Sequence, residues 1–141
     1  MRAFKSKASA IGGLAAFALF VSGLASAGDV KVTLAGGEEV PPVTTSATGT
    51  GTITVKDDKT ISGSVTTKDV VGLAAHIHHA PAGKNGPPVV SLAKTADNVW
   101  SVPAGTKLSD EQYAAFKAGE LYVNVHSAAN KGGEIRGQLK P

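Results

Sequence analysis

Leu121-Tyr122-Val123-Asn124-Val125-His126 alternates apolar and polar side chains without a break. Successive side chains of a β-strand point to opposite faces, so Leu121, Val123 and Val125 belong to a core while Tyr122, Asn124 and His126 share the other side. The end of the chain follows the same rule: Ile135 and Leu139 read as core, and Glu134, Arg136 and Gln138 lie opposite. Upstream, Leu73-Ala74-Ala75-His76-Ile77-His78-His79 turns Leu73, Ala75 and Ile77 one way and His76 and His78 the other. Two same-face histidines on a strand sit about 6–7 Å apart, close enough to chelate one metal ion. His79 falls on the apolar face or at the strand end. If these three strands are neighbours in one sheet, His76, His78, His126, Asn124, Glu134 and Arg136 form one polar patch.

The rest of the chain supplies more strands. Val30, Val32 and Leu34 alternate with Lys31 and Thr33, and Gly36-Gly37 ends that run. Two adjacent prolines exclude Glu38–Val43 from a central strand, since both lack the ladder donor. Gly51–Val55 and Ile61–Thr66 form a hairpin across Lys56–Thr60, and Val89–Ala93 and Val99–Val102 follow a turn-rich loop at Pro81–Pro88. One helix is expected after Ser109, with Asp110 and Glu111 in its first turn, Tyr113 and Phe116 on one face and Gly119 at its exit. About eight short strands and one short helix predict an all-β, antiparallel sandwich or barrel. No internal repeat or low-complexity segment interrupts it.

The first residues read differently. Arg2, Lys5 and Lys7 precede an uncharged stretch from Ile11 to Val21, and Ala25-Ser26-Ala27 closes it. This is the pattern of a secretory signal peptide cut after Ala27. The apolar stretch falls short of the roughly 20 residues a membrane-spanning helix needs. The expectation is a signal peptide at residues 1–27 and one domain at 28–141, exported to the periplasm or the extracellular space and carrying no membrane anchor after cleavage. The chain has 14 Lys and Arg against 11 Asp and Glu, and the whole excess lies in the leader. A neutral domain has no electrostatic footprint for nucleic acid or for an anionic membrane. Cysteine is absent, which excludes disulfides, thiolate metal sites and cysteine nucleophiles.

Four segments together resemble the chordin-type, or CHRD, domain family: Leu34–Pro42; Ala75-His76-Ile77-His78 with Ala82-Gly83 and Asn85-Gly86-Pro87; Leu121–His126; and Gly133–Leu139. They follow the family's order over nearly the whole domain. Asn130-Lys131-Gly132 stands where a proline is frequent, a difference confined to a loop. The resemblance implies an immunoglobulin-like β-sandwich, distantly similar to copper-zinc superoxide dismutase. His76 and His78 look like the His-x-His pair that binds copper there. The other dismutase ligands have no clear counterparts, and its two cysteines are missing.

His76, His78 and His126 are therefore the candidate metal ligands, three of the four histidines in the chain. Imidazole suits copper, zinc and nickel, and copper is the first expectation with zinc the alternative. Hydrogen bonding to carbonyls, Glu39 or Asn124 without metal is the structural alternative. His79 and Glu39 are further candidate ligands. Asn124, Glu134 and Arg136 are candidates for orienting a ligand, and Glu39, Glu134 and Arg136 are expected to form ion pairs tying the Pro-Pro loop to the last strand. Ser127 beside His126 lacks a nucleophile elbow, so no hydrolase is read here. The expected function is binding or buffering of a metal ion outside the cytoplasm, with the protein partner unspecified. A copper-dependent dismutase-like redox enzyme and an adhesion or protein-interaction module are the alternatives.

Overall fold

The computed structural model describes residues 28–141, and the leader read at residues 1–27 lies outside the described residues. Eight strands form: β1 (Asp29–Ala35), β2 (Thr48–Val55), β3 (Ile61–Lys68), β4 (Gly72–His79), β5 (Pro88–Ala96), β6 (Val99–Ser101), β7 (Leu121–Ser127) and β8 (Ile135–Leu139). They close in the order β1-β2-β3-β6-β5-β4-β7-β8, every pair antiparallel. Closure leaves no free edge for another chain to extend. Pairing is thinnest between β1 and β8, joined by a single registered pair, Ala35 with Arg136, and around the short β6, whose pairing with β5 slips between Lys94 and Ala96. The sandwich-or-barrel expectation is met as a closed eight-stranded ring.

Alternation sets what lies inside. Val30, Val32, Leu34, Ile53, Val55, Ile61, Val65, Ile77, Val123, Val125, Ile135 and Leu139 fill the interior. Leu73 is a correction: it stays 63 % exposed, because the β4–β7 register shifts between Gly72 and Ala74 and takes it out of phase with Ala75 and Ile77. The hairpin turns use positive φ at Lys59 and Asn98. Helix α1 (Asp110–Lys117) begins in a capping box, with Ser109 and Gln112 satisfying each other's backbone N–H. Phe116 on its inner face is fully buried. No helix among the described residues is long and apolar enough to cross a membrane.

Ile77 and Leu73 offer a direct check on this phase. Removing a buried isoleucine leaves a cavity, so Ile77→Ala is expected to cost about 2–5 kcal/mol. Leu73→Ala is expected to change stability by no more than about 0.5 kcal/mol. Urea unfolding of the two variants measures both, and equal costs would contradict the register shift.

Candidate metal centre

Strand β7 lies between β4 and β8, so the three segments read from the sequence are neighbours. In register, His76 faces Asn124, His78 faces Tyr122 and Ala74 faces His126; Asn124 in turn faces Arg136, and Tyr122 faces Gln138. All these side chains stand on the outside of the barrel. The outside is normally wet, but loops at 39–45, 80–87 and 128–134 cover this part. Tyr122, Asn124 and Arg136 are consequently buried, and His76 and His126 half-buried.

The three imidazoles converge. Each of His76, His78 and His126 offers a ring nitrogen, and the three atoms lie within 4.8 Å of one another. Ring centroids are 5.0–5.7 Å apart. Backbone carbonyls decide which nitrogens are available. His78 Nδ1–H donates to the Gly86 carbonyl at 2.8 Å, and His126 Nδ1–H donates to the Lys131 carbonyl at 2.8 Å. A neutral imidazole that donates through Nδ1 presents its lone pair at Nε2. With its own Nδ1 donating, His126 Nε2 accepts from His76 Nδ1–H at 3.0 Å, so an ion held by both atoms would replace this bond, with the His76 proton moving to its Nε2. His78 Nε2 is buried and has no hydrogen-bond partner. An unpartnered polar atom in such a place costs about 1–3 kcal/mol, and a cation would satisfy it. The donor set, two Nε2 and one Nδ1 with no thiolate or carboxylate, suits copper or zinc.

Protonation favours the same chemistry. Burial lowers the pKa of His76, aided by nearby His126. Burial also lowers that of His78; its bond to Gly86 opposes the shift, and His126, His76 and Arg136 add to it. Neutral rings keep their lone pairs. Tyr122 holds His78 in place: its ring stacks on the imidazole at 5.0 Å, and its hydroxyl accepts from the Gly86 N–H at 3.1 Å. The Arg136 guanidinium covers the other face of Tyr122 at 3.5 Å. Gly86 must be glycine, because a Cβ there would run into the His79 carbonyl.

The other candidates are placed elsewhere. His79 turns to Glu120, with Nε2 3.5 Å from its carboxylate. Glu39 accepts from Asn124 Nδ2, which also donates to the Ile135 carbonyl at 3.1 Å. Glu134 accepts from Thr45, Ser127 and Asn130 at 2.9, 2.7 and 3.3 Å, and these bonds, Ser127 first, lower its pKa. Arg136 donates to Asn85, the Pro81 carbonyl and Gln138 at 3.2–3.3 Å. The expected ion pairs among Glu39, Glu134 and Arg136 therefore do not form. Hydrogen bonds from these charged groups to neutral partners tie the loops to β8 and its entry instead. The orienters of His78 and His126 are carbonyls, which side-chain identity does not reveal. Tyr122 was on the right face by parity, but its place between His78 and Arg136 needed the register.

Glu39 carries the largest consequence for stability. Burial pushes its carboxyl up from 4.5 to about 7, against the lowering effects of Asn124 and Arg136. The native state then binds more protons than the unfolded chain, so this group's contribution is complete below 4.5 and is lost as pH rises through about 7. The histidine shifts have the opposite sign: their contribution is present above 6.5 and lost on acidification. Glu39→Gln keeps an acceptor for Asn124 and removes the ionisation. The variant is expected to melt higher than the parent at about pH 8 and to match it more closely at about pH 5. Thermal unfolding by circular dichroism across that range checks this, and parallel profiles would contradict it.

A family model for the CHRD domain matches residues 30–139, from the second residue of β1 to the last of β8. No curated protein matches the chain, and no solved structure does.

Proposed function

The chain belongs to the CHRD domain family, and from that premise we propose that it is an exported protein that binds or buffers a metal ion, copper first and zinc second, through His76, His78 and His126. The observation that supports this reading is the buried, unpartnered Nε2 of His78, on a ring that clusters with those of His76 and His126, one nitrogen of each lying within 4.8 Å of the others. A bound ion would supply the electrophile that this nitrogen lacks, since it has no hydrogen-bond partner among the described residues.

This chain's residues would act in three ways. His76 Nδ1, His78 Nε2 and His126 Nε2 would be the ligand atoms, since the remaining nitrogens of His78 and His126 are committed to Gly86 and Lys131. Those two carbonyls fix the tautomers, which raises the basicity of the ring and holds its plane, as outer hydrogen bonds do at metal-binding histidines. Tyr122 and Arg136 pack over His78 and limit access of water from that side. Export rests on the leader at residues 1–27, and a cysteine-free domain keeps its ligands unaffected by an oxidising compartment.

Calorimetric titration with Cu(II) and Zn(II), on protein purified without a histidine tag, tests the reading. One equivalent is expected to bind, with affinity falling as pH is lowered because protons compete for the same lone pairs. The His76→Ala/His78→Ala double variant and His126→Ala are each expected to lose that binding while unfolding cooperatively. Uptake equal to that of the double variant would remove the proposal.

A further inference from the structure

A groove of about 580 Å³ opens beside the Pro-Pro loop, walled by Glu39, Pro41, Pro42, Asn85, Asn130 and Gly132 among others. It lies within the size range of small-molecule sites. None of the three candidate ligands lines it, so it is a separate feature of the fold.

Glu39 is only 6 % exposed, and Asn124 engages its Oε1 alone. Its Oε2 has no partner among the described residues and is not among the atoms sealed from solvent. The Asn130 side chain donates through Nδ2 to Glu134, leaving Oδ1 as a second unused acceptor. Asn85 Nδ2 donates to the Val40 carbonyl at 2.7 Å and Oδ1 accepts from Arg136. Each wall carboxamide thus has one N–H engaged, while the second Glu39 carboxyl oxygen has no partner. Gly133, with φ of 128°, lets the chain pass here: any Cβ would strike both Glu39 and Asn124.

A buried carboxyl with one oxygen unengaged, on a wall that carries no cation, favours a ligand that brings N–H donors together with positive charge. We propose that this groove binds a small organic ammonium ion, with Glu39 as counter-charge, Asn130 as second acceptor and the Pro41-Pro42 rings against its carbon chain. A primary ammonium brings three donors and one positive charge. Charge-assisted hydrogen bonds of this kind are the stronger ones. A divalent cation fits less well, since calcium seeks six to eight oxygens and the wall has one carboxylate. An anion finds no cation on the wall, because Arg136 is turned toward Asn85, Pro81, Gln138 and the Tyr122 ring. The high proton affinity of Glu39 agrees with a buried carboxyl lacking a counter-ion at close range.

Amide chemical shifts of isotope-labelled protein, recorded during titration with n-butylamine, n-butanol and butyrate, test the proposal. Saturable shifts are expected with n-butylamine only, centred on Asn130, Gly132 and Gly133. Glu39→Gln is expected to weaken this binding about tenfold or more, with the spectrum otherwise native. Gly132→Val is the second variant. Its new Cβ meets no atom within 4 Å, so this lining position has room for a side chain, and the variant is expected to hinder the amine while keeping a native spectrum. Absence of saturable shifts, equal binding of n-butanol, or full binding by either variant would overturn the assignment. Because the readout contains no metal, its failure is separate from failure of the metal reading.

Discussion

Polar side chains buried on the outer face of the barrel constrain everything else about this region. Strand alternation sends Val123, Val125, Ile135 and Leu139 inward, and so obliges Tyr122, Asn124, Arg136 and Gln138 to stand outward. Three loops then fold over them and remove water. Each N–H, carbonyl and charge so covered needs a partner, at a cost of about 1–3 kcal/mol where one is missing. Arg136, with 1 % of its surface exposed, shows how the demand is met: two hydrogen bonds to loop atoms, one to Gln138 of its own strand and the face of Tyr122 surround its guanidinium.

The same demand shapes the loops. Pro81, Gly86 and Lys131 contribute carbonyls to Arg136, His78 and His126, while Asn85 closes the 80–87 loop onto Val40 of the Pro-Pro loop. Glu134 gathers Thr45, Ser127 and Asn130, fastening the other end of the Pro-Pro loop to the turn that enters β8. Ser127 thereby spends its hydroxyl on a structural bond, which accords with the absence of a nucleophile elbow around it. The loops stay in place through polar bonds to the sheet, and the apolar interior contributes to them only indirectly.

Much of this was legible in the residues because it follows from period-two alternation. The strands, the helix with its Ser109 cap, and the sharing of one face by His76, His78, Asn124 and His126 all come from side-chain direction. Three things do not. Leu73 breaks phase through a register shift, which depends on how β4 meets β7 and leaves no mark in its own sequence. The carbonyls that fix His78 and His126 are identical in every residue type. The ion pairs expected among Glu39, Glu134 and Arg136 were a choice among polar partners, and only the loop paths show that neutral ones lie nearer.

Burial acts on two kinds of acid in opposite senses here, and that contrast explains how one small region holds two different surfaces. Desolvation disfavours whichever form is charged. For His76 and His78 the charged form is the protonated one, so burial favours their neutral forms. For Glu39 the charged form is the deprotonated one, so burial retains its proton up to about pH 7. Arg136 lies close enough to favour deprotonation of both kinds, lowering the pKa of His78 and limiting the rise in Glu39. Asn124 stands between them, facing His76 across the strands and donating to Glu39. A neutral carboxamide thus stands between imidazoles that burial keeps unprotonated and a carboxyl that burial keeps protonated.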